Sequence, residues 1–389
     1  MRQVSSPLLS IRVLSTYFQV KETVVKAVDD VSLDIYHQET LALVGETGCG
    51  KSVLALSILR LLPKNSQIEG SIRYKGLEIL EASTEELRKL RGQEIGMIPQ
   101  SQASSLNPLL KIGWQVREVI QLHKKIGKLE AQKKVVNLFT RLQLPDPAKR
   151  MNFYPHQLSG GMRQRVLVSM GVACKPQLIL VDEPTKGLDA VLRKEVVNLL
   201  REQAAENSSS MLLITHDFSV AAVLADRIAV MYAGEIVEMG SAAGILAKPK
   251  HPYTQSLIDS LPGRGFKLIP GFGPSLSLLP PGCRFQPRCR IACSDCAALH
   301  PEISEVGANH FVRCFYAGTL YLNDHCHQFC FMGGGGIGTA IGGLCIQSVG
   351  FSQFFAIYCL GLLVLLTAAY ILMGQEKETS SNQQLTNTK

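Results

Sequence analysis

An α/β fold with a mostly parallel sheet is predicted by three features of the chain. Short apolar runs at residues 40–44, 177–182 and 211–215 have the length and composition of buried strands. Helical segments separate these runs, and strands that alternate with helices form a mostly parallel sheet. Glycines follow the first run and lead into an apolar helix predicted from residue 51 to about residue 62. We therefore expect a ligand-binding turn at the end of the first strand.

Two further parts flank this predicted sheet. Residues 9–35 alternate apolar and polar side chains in short runs, a pattern typical of an antiparallel strand pair. Residues 110–157 are mostly helical, with Val and Leu recurring among exposed Lys and Gln. The sequence therefore predicts an antiparallel β subdomain and a helical subdomain at about residues 101–170.

Composition restricts the function only loosely. The 389 residues suffice for one large domain or two medium domains, and the net charge of +8 suits a nucleotide, a nucleic acid or an anionic membrane. A solvated basic face would explain the same charge. The first 17 residues have no apolar stretch long enough for a secretory signal, so we expect a cytosolic fold. Nine of the eleven cysteines lie between Cys283 and Cys359, and clustered cytosolic cysteines favour a metal or an iron–sulfur centre.

The glycine-rich turn matches the phosphate-loop pattern G-x-x-x-x-G-K-[ST]. Its backbone N–H groups would surround phosphates at a helix N-terminus, Lys51 would reach the β- and γ-phosphates, and Ser52 would bind Mg²⁺. A structural glycine turn is the alternative, but the position between a strand and an apolar helix favours the phosphate loop. The predicted ATP-binding residues are Gly45, Glu46, Thr47, Gly48, Cys49, Gly50, Lys51 and Ser52.

Two adjacent carboxylates end the second buried run. Asp182 is positioned to hold Mg²⁺ together with Ser52, and Glu183 to orient and deprotonate an attacking water. Adjacent carboxylates at a strand end are otherwise often a cap or a surface pair. In a chain that also has a phosphate loop, they indicate nucleotide hydrolysis.

Residues 158–165 read LSGGMRQR and resemble the LSGGQ signature of ABC ATPases, with Met162 where Gln is usual. Ser159 can cap a helix, and Gly160 and Gly161 leave its first N–H groups open to an anion. The resemblance implies an ABC-type nucleotide-binding domain. In this family the signature faces the ATP of the opposite protomer, so that two domains enclose two nucleotides.

Further residues resemble the remaining motifs of this family in their order along the chain. Gln100 is similar to the loop glutamine that senses Mg²⁺ and touches the transmembrane partner. Asp189 lies in a D-loop-like GLD sequence, and His216 resembles the switch histidine that contacts the γ-phosphate. Tyr17 or Phe18 would stack on adenine. The resemblance thus implies Glu183, His216 and Gln100 as catalytic residues and Ser52, Gln100 and Asp182 as Mg²⁺ ligands.

Two stretches indicate the branch of the family. Residues 95–108 resemble the extended Q-loop of dipeptide, oligopeptide and nickel importers, although Pro99, Ser101 and Gln102 replace the usual Phe, acidic residue and Pro. Residues 251–257 (HPYTQSL) and 283–289 (CRFQPRC) closely resemble the C-terminal extension of peptide-importer ATPases. The resemblance covers about residues 8–316.

This resemblance implies an ATPase that powers dipeptide or oligopeptide import from the cytoplasmic face of a bacterial inner membrane. The implied partners are a second ABC ATPase, by preference a paralogue, two transmembrane permease subunits and, through these, an extracytoplasmic solute-binding protein. No nucleic-acid partner is expected. Nickel or another small solute is an alternative cargo. A soluble ABC ATPase of DNA repair or translation is the alternative class, but it usually carries a coiled-coil insertion or a tandem ATPase, and neither is found here.

Cysteine spacing suggests a second site in the extension. Members that resemble this chain can bind a [4Fe–4S] cluster through the positions of Cys283, Cys289, Cys296 and Cys314. Four thiolates also suit a structural Zn²⁺, Cys293 is a fifth candidate, and free cysteines are the remaining alternative.

The C-terminal end departs from the family pattern. Residues 351–373 carry no charge over a length that could cross a bilayer, and a glycine-rich stretch precedes them. A membrane anchor is one interpretation; a gene fusion, a shifted reading frame or a nonfunctional product is another. The predicted organisation is an ATPase domain at 8–248, a Cys-rich extension at 249–318, a membrane segment at 329–373 and a disordered tail at 374–389.

Overall fold

The computed structural model describes residues 6–100, 105–261, 264 and 269–317. The strands in this part are β1 (Leu9–Val20), β2 (Thr23–Ile35), β3 (Thr40–Val44), β4 (Ser66–Tyr74), β5 (Leu77–Glu78), β6 (Ile95–Ile98), β7 (Leu178–Asp182), β8 (Ser210–Thr215), β9 (Arg227–Tyr232), β10 (Glu235–Ser241), β11 (Ser304–Gly307) and β12 (His310–Val312). The helices are α1 (Lys51–Ile58), α2 (Thr84–Lys89), α3 (Ile112–Lys124), α4 (Lys128–Arg141), α5 (Pro147–Arg150), α6 (Gly160–Val172), α7 (Ala190–Asn207), α8 (Phe218–Leu224), α9 (Ala242–Ala247), α10 (Pro252–Asp259) and α11 (Ser294–Ala298).

The larger sheet has the strand order β11-β12-β10-β9-β3-β8-β7-β6. Strands β9, β3, β8, β7 and β6 are parallel to their neighbours within this group. The pairs β9–β10, β10–β12 and β12–β11 are antiparallel. The predicted parallel sheet is therefore confirmed as the central part of a mixed sheet. Its antiparallel end includes β11 and β12 of the C-terminal extension, which the sequence did not predict.

A smaller antiparallel sheet has the order β2-β1-β4-β5. Strand β1 pairs with β2 from Leu9 opposite Ile35 to Val20 opposite Thr23, which confirms the antiparallel pair predicted at residues 9–35. Strands β4 and β5 complete this sheet on the other side of β1.

Helices α3 to α6 form the predicted helical part. In α3, the buried residues Ile112, Val116 and Ile120 recur every four positions and therefore share one face. Val135 and Phe139 of α4 are fully buried in the same hydrophobic core. This helical packing arises from the apolar periodicity that predicted helices at residues 110–157.

Hydrophobic cores lie on both faces of the larger sheet. In β3, Ala42 and Val44 belong to one core, whereas Leu41 and Leu43 belong to the other. Successive side chains of a strand point to opposite faces, so a strand buried on both faces must be apolar throughout. The continuous apolar run at residues 40–44 has this origin.

Helix α1 is shorter than predicted and ends at Ile58 rather than near residue 62. Arg60 adopts a positive φ of 49°, which interrupts the helix. The guanidinium of Arg91 donates hydrogen bonds to the carbonyl oxygens of Leu59 and Arg60, each at 2.8 Å. These bonds satisfy carbonyls that a longer helix would have paired within itself.

Within the described ranges, no helix is long and apolar enough to cross a membrane. The membrane segment predicted at 329–373 and the tail predicted at 374–389 lie outside these ranges. The described residues all fall in one compact unit, Met1–Gly318. The proposed boundaries between the ATPase domain and the extension stay predictions.

Candidate nucleotide-binding and hydrolysis site

The phosphate loop connects β3 to α1, as the sequence predicted. Gly48 and Gly50 have φ values of 85° and 110°, which glycine adopts most readily. A Cβ atom on Gly50 would lie 2.0 Å from the carbonyl oxygen of Ala27. Glycine at residue 50 is therefore required both by the backbone conformation and by the close approach of β2.

Lys51 points back toward the start of this loop. Its Nζ donates to the carbonyl oxygens of Gly45 and Glu46, each at 2.8 Å, and its side chain is buried. Cys49 lies beside it, with 3.7 Å between Sγ and Nζ, and burial raises the pKa of this thiol. The N-terminus of α1 and the Lys51 ammonium together favour an anion at this place.

Asp182 ends β7 next to the phosphate loop. Burial raises the pKa of its carboxyl group, and a hydrogen bond with Ser52 opposes that shift. Its Oδ1 is buried and has no hydrogen-bond partner. An unpaired buried carboxylate oxygen is costly, and a hard cation would satisfy it. The Asp182 and Ser52 oxygens therefore fit Mg²⁺, which would neutralise phosphate charge there.

Glu183 follows directly and is held in an uncommon conformation. Its φ is 47°, in the left-handed region, and its N–H donates to the Ile214 carbonyl of β8 at 2.9 Å. The Glu183 Oε2 lies 2.7 Å from Nδ1 of His216. The Glu183 side chain is only 6% exposed, whereas that of His216 is 51% exposed. The structure thus brings together the predicted base and the predicted switch residue.

The signature residues begin helix α6. Ser159 precedes this helix, and its Oγ accepts a hydrogen bond from the N–H of Met162 at 3.3 Å. A Cβ on Gly161 would lie 2.7 Å from the Leu192 side chain of α7. Asp189 caps α7 by accepting from Leu192 N–H at 2.9 Å. Two capped helix N-termini therefore meet at the contact between Gly161 and Leu192.

The two other predicted site residues are Gln100, at the margin of the described structure, and Tyr17, within β1. Gln100 is half-buried two residues after β6, and residues 101–104, which include the unusual Q-loop positions 101 and 102, are not described. Tyr17 lies in β1, where its hydroxyl donates to Asp29 Oδ1 at 3.0 Å and Lys26 Nζ lies 5.8 Å from its ring centre. Whether Tyr17 or Phe18 stacks on adenine stays a prediction.

Sequence reasoning missed three arginines that join the extension to the ATPase core. Arg284 pairs with Asp29, Arg288 with Glu46 and Arg313 with Asp30, and the side chains of the three arginines are 5–8% exposed. Two of them stand in or beside the quoted CRFQPRC run. No local pattern predicts that these arginines are buried against carboxylates, because their partners are distant in sequence.

Cys283, Cys289, Cys296 and Cys314 line one small, mainly apolar pocket with His251. Burial raises the pKa of the Cys283, Cys289 and Cys314 thiols to about 11, so they are protonated at neutral pH. Among the described residues, no group of three or more His, Cys, Asp or Glu is arranged to hold a metal ion. The predicted [4Fe–4S] ligand set therefore shares a pocket, but a formed metal site is not supported.

Comparison with protein families agrees with this geometry. The family described as ABC transporter matches residues 28–186, a range that includes the phosphate loop, the signature, Asp182 and Glu183. The oligopeptide/dipeptide transporter C-terminal region matches residues 237–296. These matches and the fold define an ATP-hydrolysing cassette of the ABC type.

The chain belongs to the ABC transporter ATP-binding family, in the branch with the oligopeptide/dipeptide transporter C-terminal region. It is 40% identical to "Probable peptide ABC transporter ATP-binding protein y4tR" of Sinorhizobium fredii, over 81% of this chain and 98% of that protein. It is 39% identical to the oligopeptide transport ATP-binding protein OppD of Escherichia coli, over 81% and 94% of the two chains.

Solved structures show the same fold. The ATP-binding cassette MJ0796, in a dimeric post-hydrolysis state bound to ADP and Pi, is 25% identical with a TM-score of 0.54, covering 60% of this chain and 98% of that one. The protein cbiO1 of Clostridium perfringens, part of an ABC transporter complex, is 24% identical with a TM-score of 0.53, covering 63% and 92%.

Proposed function

We propose that this chain is the ATPase subunit that powers import of dipeptides or oligopeptides across the inner membrane. The observation that carries this proposal is the oligopeptide/dipeptide-type extension, docked by Arg288 onto the phosphate loop of an ABC cassette. The names of the relatives in Sinorhizobium fredii and Escherichia coli support the same cargo class.

In the proposed reaction, the Glu183 carboxylate accepts a proton as water attacks the γ-phosphorus of ATP. The bond from that phosphorus to the β,γ-bridging oxygen breaks, and ADP and phosphate leave. His216, which already contacts Glu183 at 2.7 Å, would hold the γ-phosphate. Lys51 would stabilise the negative charge on the phosphates, and Ser52, Asp182 and Gln100 would bind the Mg²⁺.

The complete machine is proposed to contain a second ATPase, by preference a paralogue. Ser159, Gly160 and Gly161 would face the ATP held by that second subunit, and their position at a helix N-terminus, which favours anions, supports this role. Two permease subunits would dock near Gln100 on the cytoplasmic face of the membrane, and a solute-binding protein would deliver the peptide. Asp189 would contribute at the same dimer interface.

Peptide uptake tests this proposal directly. The chain would be co-expressed with the permease and binding-protein genes of a peptide importer. Uptake of labelled di- and oligopeptides into right-side-out vesicles would then be measured with and without ATP supplied inside. We expect uptake with wild-type chain and none with Glu183→Gln, whereas the exposed Glu202→Gln should behave as wild type. ATP-dependent accumulation of nickel but not peptide would reject the peptide assignment and leave the ATPase assignment intact.

The finer proposal for the extension is that its four-cysteine pocket holds a [4Fe–4S] cluster with a structural role. The shared pocket of Cys283, Cys289, Cys296 and Cys314 supports this proposal. Thiolate ligation would require the raised pKa values to fall, as a bound cation causes. Chain purified anaerobically should contain about four irons and absorb in the visible range. A Cys289→Ser variant should lose both signals and the control Cys174→Ser neither; absence of iron from the wild type would refute the cluster.

A further inference from the structure

The side chain of Arg288 connects the C-terminal extension to the phosphate loop. Its Nη1 and Nη2 donate to Oε2 and Oε1 of Glu46, each at 2.9 Å, across 242 positions of sequence. Arg288 is 5% exposed and Glu46 is 32% exposed. A bidentate pair between guanidinium and carboxylate is both strong and geometrically specific. Position 46 is therefore held by a group outside the ATPase core.

Other contacts also restrain the guanidinium of Arg288. Its Nε donates to the Pro270 carbonyl at 2.9 Å, and its Nη1 lies 3.3 Å from the hydroxyl of Tyr232. The guanidinium also lies over the rings of Tyr232 and Phe285, at 5.7 and 5.9 Å from their centres. Because the planar group has little freedom left, Arg288 defines the position of the Glu46 carboxylate.

The backbone of Glu46 forms hydrogen bonds with both the extension and the phosphate loop. Its N–H donates to the hydroxyl of Tyr253 in α10 at 3.0 Å. Its carbonyl oxygen accepts from Nζ of Lys51, the phosphate-binding lysine, at 2.8 Å. Glu46 thus contacts Arg288 and Tyr253 of the extension, and its carbonyl oxygen accepts from the ammonium group that would meet ATP.

Charge gives this contact a second consequence. Glu46 is the one acidic residue between Gly45 and Ser52, and an uncompensated carboxylate there would repel the phosphates of ATP. Arg288 cancels that charge in a partly buried place, where screening by salt is weak. The extension therefore removes an electrostatic penalty that the core sequence alone would impose.

We propose that Arg288 is a positioning residue for ATP binding: it neutralises and fixes Glu46, so that the C-terminal extension completes the phosphate loop. The extension then contributes directly to nucleotide affinity, in addition to any role in transport coupling. Loss of Arg288 would weaken ATP binding and leave the hydrolysis step nearly unchanged, because the geometry of Glu183 and His216 involves neither residue.

A double-mutant cycle on the full-length chain tests this proposal. The dissociation constant of Mg²⁺-AMP-PNP would be measured by calorimetry for wild type, Arg288→Gln, Glu46→Gln and the double variant. We expect Arg288→Gln to raise the constant about 10-fold and the double variant to return to within about 3-fold of Glu46→Gln. Steady-state kinetics should show the same rise in KM for ATP with kcat nearly unchanged.

The matched control is Arg313→Gln, which removes another arginine of the extension that is 5% exposed and pairs with Asp30 of β2 rather than with a residue of the phosphate loop. The dissociation constant of Mg²⁺-AMP-PNP for Arg313→Gln should stay within about twofold of wild type. An unchanged constant for Arg288→Gln, or a double variant as weak as Arg288→Gln alone, would overturn the proposal. If Arg288→Gln does not fold, Arg288→Lys replaces it, and we expect its dissociation constant for Mg²⁺-AMP-PNP to rise about 3-fold. An unchanged constant for Arg288→Lys would likewise overturn the proposal.

Discussion

The imidazole Nδ1 of His216 and the carboxylate Oε2 of Glu183 lie 2.7 Å apart, at the ends of adjacent parallel strands. Strands β7 and β8 pair in register from Leu178 opposite Ser210 to Asp182 opposite Ile214. That register brings the residues that follow each strand to the same edge of the sheet. The contact between His216 and Glu183 is therefore a direct result of parallel pairing.

The first prediction concerns Glu183 as the general base. Glu183→Gln keeps an acceptor and a similar shape beside His216, but the amide cannot take a proton. We expect kcat for ATP hydrolysis to fall about 10²- to 10⁴-fold, the range typical of a lost general base. Phosphate release measures kcat, and binding of a fluorescent ATP analogue should be retained.

Glu202→Gln is the control for that measurement, because Glu202 is exposed on α7. Hydrolysis by Glu183→Gln at a rate close to that of Glu202→Gln would show that Glu183 is not the base, and the proposed site would need reassignment.

The second prediction concerns the buried, unpaired Oδ1 of Asp182. In Asp182→Asn the negative charge is lost, so the oxygen binds Mg²⁺ more weakly while the side-chain volume stays the same. We expect the Mg²⁺ concentration for half-maximal ATPase activity to rise at least about 10-fold. A Mg²⁺ titration at saturating ATP measures this shift. The same titration on Asp146→Asn, an exposed carboxylate that precedes α5, should match wild type.

The sequence predicted the central part of this protein because local rules and chemistry agree there. Strand β3 was predicted at its observed bounds, since four apolar residues that follow Thr40 and precede a glycine loop are typical of a buried strand. Family order alone assigned Glu183 and His216 to one site, and no contact between the two side chains was predicted. Their 2.7 Å separation depends on the pairing of β7 with β8, which no local pattern reports.

The extension was harder to predict, because its structure depends on contacts distant in sequence. Strand β12 has three residues and pairs with β10, so that Val312 lies opposite Glu238. A strand this short has no periodicity of its own and forms because β10 offers an edge. The pair of Arg288 and Glu46 likewise needs residues 242 positions apart to meet. The predicted extension at 249–318 contributes β11 and β12, which lengthen the main sheet at the edge of β10.

The last prediction concerns His251, which is 1% exposed and accepts the Tyr253 N–H at its Nδ1. Burial is the largest influence on this imidazole and lowers its pKa from 6.5 to about 4, although the buried Glu238 and Glu235 oppose the shift. Because the unfolded chain binds the proton more readily, the free energy of unfolding should fall as pH decreases from about 6.5 towards 4. Between pH 7 and pH 5, His251 alone should account for a loss of roughly 2 kcal/mol.

Urea denaturation at pH 7 and pH 5 measures that loss. His251→Asn keeps a side-chain acceptor for the start of α10 but does not titrate, so its free energy of unfolding should depend less steeply on pH than that of wild type. His37→Asn, which changes an exposed histidine, should keep the wild-type dependence. An equally steep fall in wild type and His251→Asn would mean that other groups cause the acid sensitivity. A flatter fall in His251→Asn alone would show that the extension contributes a neutral, buried imidazole to the stability of the folded chain.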